Sequence, residues 1–411
     1  MDLSYTRIKK SLKWRLQNHL LLPLYPLYKP YLIKRMRKKD KIKVVFVLSE
    51  LGKWKTESLY NEMKEHVRFS PMLIVVDTML HNGSEKRVMK YLDSKGYPYT
   101  FLEQEKTITD TFRPDIIFYQ EPYDNYYLEN HYFAYNLRSL FCYVNYAFHS
   151  MVVPDANNMP LYGCVFQLYF ENESTLQDLK KSIGDYANNG VVTGLPMTDM
   201  FINVNNSNPW KVLSGNRKKI IWAPHHTLPG GANSFLVYST FLKYSDFMLE
   251  MAEKYKDSVQ FAFKPHPLLK MKLEKFWSKE EIDNYYNKWA TMPNTQIEEG
   301  DYVSLFKNSN AMIHDCSSFQ IEYHYTHNPA LYLCDDIEEH ERGMNTFAKR
   351  AFELHYMGKS EQDIEQFINN VINEVDTKRD ERLSFYNENL LPPYGKTASE
   401  NIINAILSYN G

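Results

Sequence analysis

A chain of 411 residues, 44% apolar and 24% charged, has material for two or three packed cores and is too apolar for a disordered linker. Four cysteines, far apart and with no C-x-x-C pair, exclude a disulfide framework and a zinc ribbon and fit reduced thiols in a cytosol. The net charge of −2 hides an asymmetry: residues 1–43 carry 13 Lys or Arg against Asp2 and Asp40, so a segment of +11 precedes a body of −13.

The chain opens on that basic arm. Tyr5 to Leu22 mixes apolar residues with Lys and Arg and is predicted helical. Leu24, Tyr25, Leu27, Tyr28, Tyr31, Leu32 and Ile33 then form an aromatic and aliphatic patch beside the basic run Lys34–Lys43. Interfacial aromatics next to basic residues are expected to attach the protein peripherally to the anionic inner face of a membrane. No apolar run reaches the about 18 residues of a spanning helix, and the proline-broken Leu20–Tyr28 stretch is no secretory signal. The acidic body argues against nucleic acid as a partner.

Lys43–Leu48 reads as a buried strand, Thr56–Val67 as a helix and Pro71–Val76 as a second strand. Asn82–Lys95 reads as a helix stopped by Gly96. A short strand near Phe101, a short helix at Thr107–Phe112 and a strand at Pro114–Tyr119 follow. Tyr126–Leu137 is predicted helical and Leu140–Tyr146 a strand. Val165–Phe170, Leu176–Ile183 and Gly190–Thr193 complete the first half as strand, helix and strand. This βα alternation predicts a parallel sheet. The loop after the first strand has one glycine and no G-x-G-x-x-G, which disfavours a dinucleotide-binding oxidoreductase.

Phe201–Asn216, rich in Asn, Ser and Gly, marks a domain boundary. Beyond it, Lys219–Ala223 and Val259–Phe263 are predicted strands. Phe235–Glu253 and Leu273–Lys288 are predicted helices, Thr295–Glu298 a short strand and Val303–Ser309 a short helix. Ala311–Ile313, the turn Asp315–Ser318, a helix from Phe319 to about Asn328 and the strand Ala330–Leu333 follow. Glu361–Glu374 and Ser399–Tyr409 are the last helices. The predicted fold class is α/β, with two Rossmann-like domains facing across a cleft. The expected division is a basic arm at 1–42, an acceptor-side domain at 43–205, a donor-binding domain at 206–385 and a terminal helical segment at 386–411 packing back on the first domain.

Three strands of the second half end in polar residues: His225-His226-Thr227, Lys264-Pro265-His266-Pro267 and Asp315-Cys316-Ser317-Ser318. Ligands of open α/β sheets bind beyond the carboxyl ends of the strands, so one crevice is expected there. A serine pair at a helix start adds hydroxyls and outward N–H groups that suit an anion. His225 and His226 are two adjacent metal-type side chains with no clear third ligand. His314, His324 and His327 are scattered by the strand–turn–helix break, so no metal is predicted.

The elements Thr193-Gly194-Leu195-Pro196, Trp222-Ala223-Pro224, Lys264-Pro265-His266-Pro267, Asp315-Cys316-Ser317-Ser318 and Gly395-Lys396-Thr397-Ala398-Ser399-Glu400, in this order, resemble the CDP-glycerol glycerophosphotransferase family of teichoic acid primases and polymerases. The resemblance covers roughly residues 140 to 405. It implies a GT-B-like fold, a CDP-linked donor as substrate with no separate cofactor, and transfer of a polyol phosphate to a lipid-linked or glycan acceptor in envelope or capsule synthesis. Cytoplasmic, membrane-peripheral location is implied too. A GT-B glycosyltransferase using a nucleotide sugar is the alternative. The family's Trp-His-Gly-Thr-like segment is replaced here by Ala147-Phe148-His149-Ser150-Met151, and the acidic residue after the serines is Glu322 instead of aspartate.

Such a transfer needs a base for the acceptor hydroxyl and donors for the phosphates. His149 is expected to be the base, with Glu121, at another strand exit, as the second candidate. His266, held between two prolines, and Lys264 are expected on the donor phosphates. Ser317 and Ser318 are expected to bind phosphate, with Asp315 fixing their turn. Glu322 is placed to accept from a ribose or polyol hydroxyl, and His225, His226 and Thr227 to line the donor site. The sequence leaves the oligomeric state open.

Overall fold

The computed structural model describes residues 20–79, 83–122, 126–152, 160–202, 207–229, 238–300 and 302–409. The chain divides into two units: Met1–Asp199 with Leu391–Gly411, and Met200–Leu390.

The first unit is built on a seven-stranded sheet, all parallel, in the order β3-β2-β1-β4-β5-β6-β7. The strands are β1 (Ile42–Leu48), β2 (Phe69–Val75), β3 (Tyr99–Phe101), β4 (Ile116–Tyr119), β5 (Leu140–Val144), β6 (Gln167–Phe170) and β7 (Gly190–Val192). Val44 to Leu48 are all buried, as an unbroken apolar run requires of a strand covered on both faces. The order reverses between β1 and β4, so their carboxyl ends form this unit's switch point.

Two of the resemblance motifs meet within this unit and are structural. The helix Ala398–Ser408 begins on a Thr397/Glu400 capping box. Its first turn is also held by the Asp199 carboxylate, which accepts from Ala398 N (2.8 Å), Ser399 N (3.1 Å) and Ser399 Oγ (2.5 Å). Asn401 Nδ2 donates to Thr193 O at 3.2 Å. Gly194 has φ +79°, and a Cβ there would lie 3.0 Å from the Pro392 ring and 3.1 Å from Ala398 Cβ. Glycine alone meets both demands.

The second unit carries a six-stranded parallel sheet in the order β10-β9-β8-β11-β12-β13. Its strands are β8 (Lys218–Ala223), β9 (Val259–Phe263), β10 (Thr295–Ile297), β11 (Ala311–His314), β12 (Ala330–Leu333) and β13 (Tyr356–Gly358). One face is an aromatic core: Trp222 stacks on Phe241 (5.6 Å) and Phe263 (5.0 Å), and Phe263 on Trp289 (5.2 Å). Reversal between β8 and β11 makes a second switch point.

The structure departs from the sequence reading in several places. The predicted helix Tyr126–Leu137 is two 3-10 turns, Glu129–His131 and Phe133–Tyr135. Asn136 prevents the helix: its Oδ1 accepts from Thr109 N and Oγ1 at 2.9 Å, and its Nδ2 donates to Asn130 O and Tyr132 O. Leu273–Lys288 splits into Leu269–Leu273 and Lys279–Thr291, because Ser278 and Glu281 form a capping box. Helices Ile337–Glu341, Thr346–Glu353 and Arg379–Phe385 and strand β13 were not foreseen.

The described part of the arm is not a detached segment. Leu22–Arg37 is a helix with Pro26 and Pro30 inside, and it packs on the first unit through Tyr25, Leu32, Ile33 and Met36. Tyr25 OH donates to Ser139 O (2.8 Å), Lys29 Nζ to Val165 O (3.2 Å), and Lys39 Nζ lies 2.6 Å from Asp115. The apolar patch is thereby divided: Leu24, Leu27, Tyr28 and Tyr31 stay exposed. Most of the predicted helix Tyr5–Leu22 lies outside the described residues. No helix among the described residues is long and apolar enough to cross a membrane.

Candidate functional site

In the first unit, β5 and β6 are neighbours, so the segments leaving them emerge side by side. His149 follows β5 and Glu171 follows β6. Glu171 Oε1 accepts from His149 N and Oε2 lies 2.9 Å from His149 Nδ1. The imidazole stacks on Phe170 at 4.8 Å. A carboxylate facing Nδ1 holds the ring proton there, so Nε2 carries the lone pair. An imidazole with a positioning carboxylate behind it can act chemically as a general base. The sequence reading found His149 but not Glu171; one acidic residue after an apolar strand has no signal until β5 and β6 pair.

Glu121, the second candidate base, follows β4 and is buried. Its Oε1 is paired with Lys53, whose Nζ is also 2.8 Å from Glu50 Oε1. Burial pushes the Glu121 carboxyl above its usual range, and Lys53 opposes that shift. Lys53 occupies Glu121 Oε1, whereas the imidazole of His149 has a carboxylate behind it.

In the second unit the β8–β9 ladder continues past both strands: Lys264 N donates to Trp222 O (2.8 Å) and His266 N to Pro224 O (3.1 Å). The two side chains then part. Lys264 Nζ donates to Gly300 O (3.1 Å) and lies 5.7 Å from the Tyr302 ring, at the β10 exit. His266 turns to the β8 exit, its ring centre 4.0 Å from that of His226 and 5.0 Å from that of His225. His225 Nδ1 is 2.9 Å from Thr227 Oγ1, which also accepts from Tyr238 N at 3.0 Å.

One ligand atom from each of His225, His226 and His266 falls within 4.8 Å of the others. The sequence showed no third partner for the histidine pair; the fold supplies His266. The set is still a poor metal site, for a reason of tautomer. The Leu268 N–H donates to His266 Nδ1 at 3.1 Å, so Nδ1 is the acceptor and the proton sits on Nε2. A metal ligand needs a lone pair where this ring offers an N–H. Burial first, then the His226 imidazole and Lys264, push His266 down to about 4; burial and the other two imidazoles push His225 down to about 3. Burial and Lys272 lower His226. The cluster is therefore neutral near pH 7. It offers N–H groups, with Lys264 and Lys272 supplying positive charge, an arrangement suited to phosphate oxygens.

Asp315 closes the switch point and contacts backbone. Its Oδ1 accepts from His225 N (2.6 Å), and its Oδ2 from Thr240 N (2.6 Å) and Thr240 Oγ1 (2.9 Å). Burial lifts its carboxyl to about 6 against those bonds. It fixes the His225 and Thr240 segments, which is a positioning role. Ser317 and Ser318 are exposed, and Ser318 does not cap the following helix with its side chain. Glu322 is buried. His314 and His324, expected to diverge, both touch His355, at 5.2 and 4.8 Å between ring centres. His327 stands apart on Tyr386 at 4.4 Å.

The fold resembles solved structures. A histidine-to-asparagine variant of the wall teichoic acid polymerase TagF soaked with CDPG matches with TM-score 0.57 and 13% identity over 98% of this chain and 97% of that one. UDP-GlcNAc 2-epimerase from Neisseria meningitidis bound to UDP-GlcNAc matches with TM-score 0.57 and 15% identity, covering 90% and 100%. The S. aureus MnaA-UDP co-structure matches with TM-score 0.55 and 16% identity, covering 89% and 96%. At these identities the likeness establishes a GT-B-like fold. No curated protein sequence matches the chain. Residues 167–408 match the family described as CDP-Glycerol:Poly(glycerophosphate) glycerophosphotransferase, more than half of the chain, and the chain belongs to that family.

Proposed function

We propose that this protein transfers a polyol phosphate, glycerol phosphate in the first instance, from a CDP-linked donor to a hydroxyl of a lipid-linked or glycan acceptor in the synthesis of an envelope polymer. Family membership supports the donor class. The observation that carries the mechanism is the Glu171 carboxylate on His149 Nδ1 at 2.9 Å. His149 Nε2 takes the proton of the acceptor hydroxyl. The oxygen attacks the phosphorus bearing the polyol, the phosphoanhydride P–O bond breaks, and CMP leaves with the bridging oxygen. Glu171 stabilises the imidazolium that forms. His226 and His266 donate N–H to the phosphates, and Lys264 and Lys272 offset their charge.

The exposed face of the helix Leu22–Arg37 supports peripheral membrane attachment. Leu24, Leu27 and Tyr31 recur at helical spacing along it, with Lys34 and Lys38 beyond. Replacing Leu24, Leu27 and Tyr31 by Ser should release the protein from anionic vesicles without disturbing the packed face. Unchanged flotation of that variant would remove the membrane reading.

The transfer itself is tested by incubating the protein with CDP-glycerol and an extract of acceptor lipids and identifying the released nucleotide. CMP is the expected product. Release of CDP would indicate breakage of the polyol C–O bond, the outcome of a glycosyltransferase-type reaction, and would overturn the proposal.

A further inference from the structure

The exits of β1 and β4 hold a polar cluster that the transfer described above does not use. These strands pair from Val44–Ile116 to Phe46–Phe118, so Ser49-Glu50 and Gln120-Glu121 emerge together. Lys53 joins the two exits through Glu50 and Glu121. Its Nζ lies 4.3 Å from the centre of the Tyr126 ring and 5.4 Å from that of Tyr146. Tyr126 OH donates to Glu50 Oε1 at 2.5 Å and is 2.9 Å from Ser49 Oγ. Gln120 Oε1 accepts from Ser49 N at 3.4 Å, and Gln120 N donates to the Tyr127 hydroxyl at 3.3 Å.

Two atoms of this cluster are left over. Glu121 Oε2 and Gln120 Nε2 are buried and have no hydrogen-bond partner among the described residues. Their side chains belong to residues 2% and 5% exposed, and the other arm of each is tied to the loop 49–53. A buried acceptor and a buried donor left unmade are costly, and native structures rarely keep them without a use. Charge narrows what can satisfy them. One lysine stands against two carboxylates, so the cluster is net negative and disfavours phosphate. A hydroxyl can give its proton to a carboxylate, and a second hydroxyl oxygen can accept from an amide.

We propose that the β1 and β4 exits bind a neutral polyhydroxylated group, a polyol or sugar unit, with Glu121 Oε2 accepting from one hydroxyl and Gln120 Nε2 donating to another. This gives the hydroxyl-bearing acceptor a seat in the first unit. Its biological use rests on the functional reading above, whereas the binding itself does not.

The test is a titration of the full-length protein, labelled with 15N at glutamine side chains, with ribitol, glycerol and inorganic phosphate. Ribitol or glycerol should shift the Gln120 side-chain amide saturably, in the millimolar range typical of small uncharged ligands, and phosphate should not. Glu121→Gln should weaken polyol binding at least tenfold while CDP binding in the second unit is retained. Absence of a saturable Gln120 shift in the unaltered protein would overturn the site, and that result needs no variant to fold. Equal polyol affinity in Glu121→Gln, or an equal shift with phosphate, would overturn it too. Polyol binding at Gln120 together with failure to release CMP from CDP-glycerol would uphold this site and defeat the transfer reading.

Discussion

The two units place histidines at the same kind of position, beyond the ends of adjacent parallel strands, and hold them in opposite tautomers. His149 in the first unit faces a carboxylate with Nδ1, which leaves the lone pair on Nε2. His266 in the second unit faces a backbone N–H with Nδ1, which leaves the proton on Nε2. The same side chain thus presents a lone pair on Nε2 in one unit and an N–H on Nε2 in the other. What decides is one neighbour: Glu171 in the first case, the amide of Leu268 in the second.

The comparison can be broken most sharply at His149. His149→Ala should lower kcat by about 10³-fold while the dissociation constant for CDP-glycerol stays within about twofold, since general-base contributions span roughly 10²–10⁴. Turnover and donor binding measured on the same preparation decide it. Glu171→Gln should lower kcat by about 10²-fold with KM little changed, because the ring loses its anionic partner. His266→Ala should do the reverse. Donor affinity should fall about tenfold or more, the worth of a hydrogen bond to a charged group, about 1.5–3 kcal/mol.

Acid should separate the units as well. His314, His324 and His355 are buried together in the second unit, and burial pushes the first to about 3, the second to about 4 and the third well below the usual range. In the unfolded chain each titrates near 6.5, so the unfolded state takes up the extra protons. Their contribution is therefore complete above about pH 6.5. It falls as pH drops toward the folded values, by up to about 1.4 kcal/mol per pH unit for each group. The first unit has His131 lowered in the same way. Limited proteolysis at about pH 7.5 and about pH 5 should show the second unit opening first on acidification; simultaneous opening would contradict this.

The smallest expected effect concerns a motif that is not part of the site. Gly194→Ala should destabilise the first unit by about 1–2 kcal/mol, from its left-handed backbone and the approach of Pro392. Thermal unfolding reads it.

What could be read from sequence follows physical lines. The strands at Val259–Phe263 and Ala330–Leu333 coincide with their predicted bounds, because a strand buried on both faces is an apolar run with polar ends. The exits bearing His225, Lys264, His266 and Asp315 were legible for the same reason. Glu171, the approach of His266 to His226 and the Lys53–Glu121 pair were not, since each depends on which strands become neighbours. The stretch Leu24–Ile33 was read as one aromatic and aliphatic patch, and only packing reveals that Tyr25, Leu32 and Ile33 turn inward on the helix Leu22–Arg37. Thr193–Pro196 and Gly395–Glu400 look functional as motifs, yet in the first unit they serve to hold each other.

The most direct test of the central contrast is the protonation of the two rings, read by 15N NMR on protein labelled at histidine nitrogens, with His149→Gln and His266→Gln used for assignment. Near pH 7.5, His149 should show its proton on Nδ1 and His266 its proton on Nε2. The same tautomer at both positions, or a bare Nε2 on His266, would contradict the assignment of base to the first unit and phosphate donor to the second.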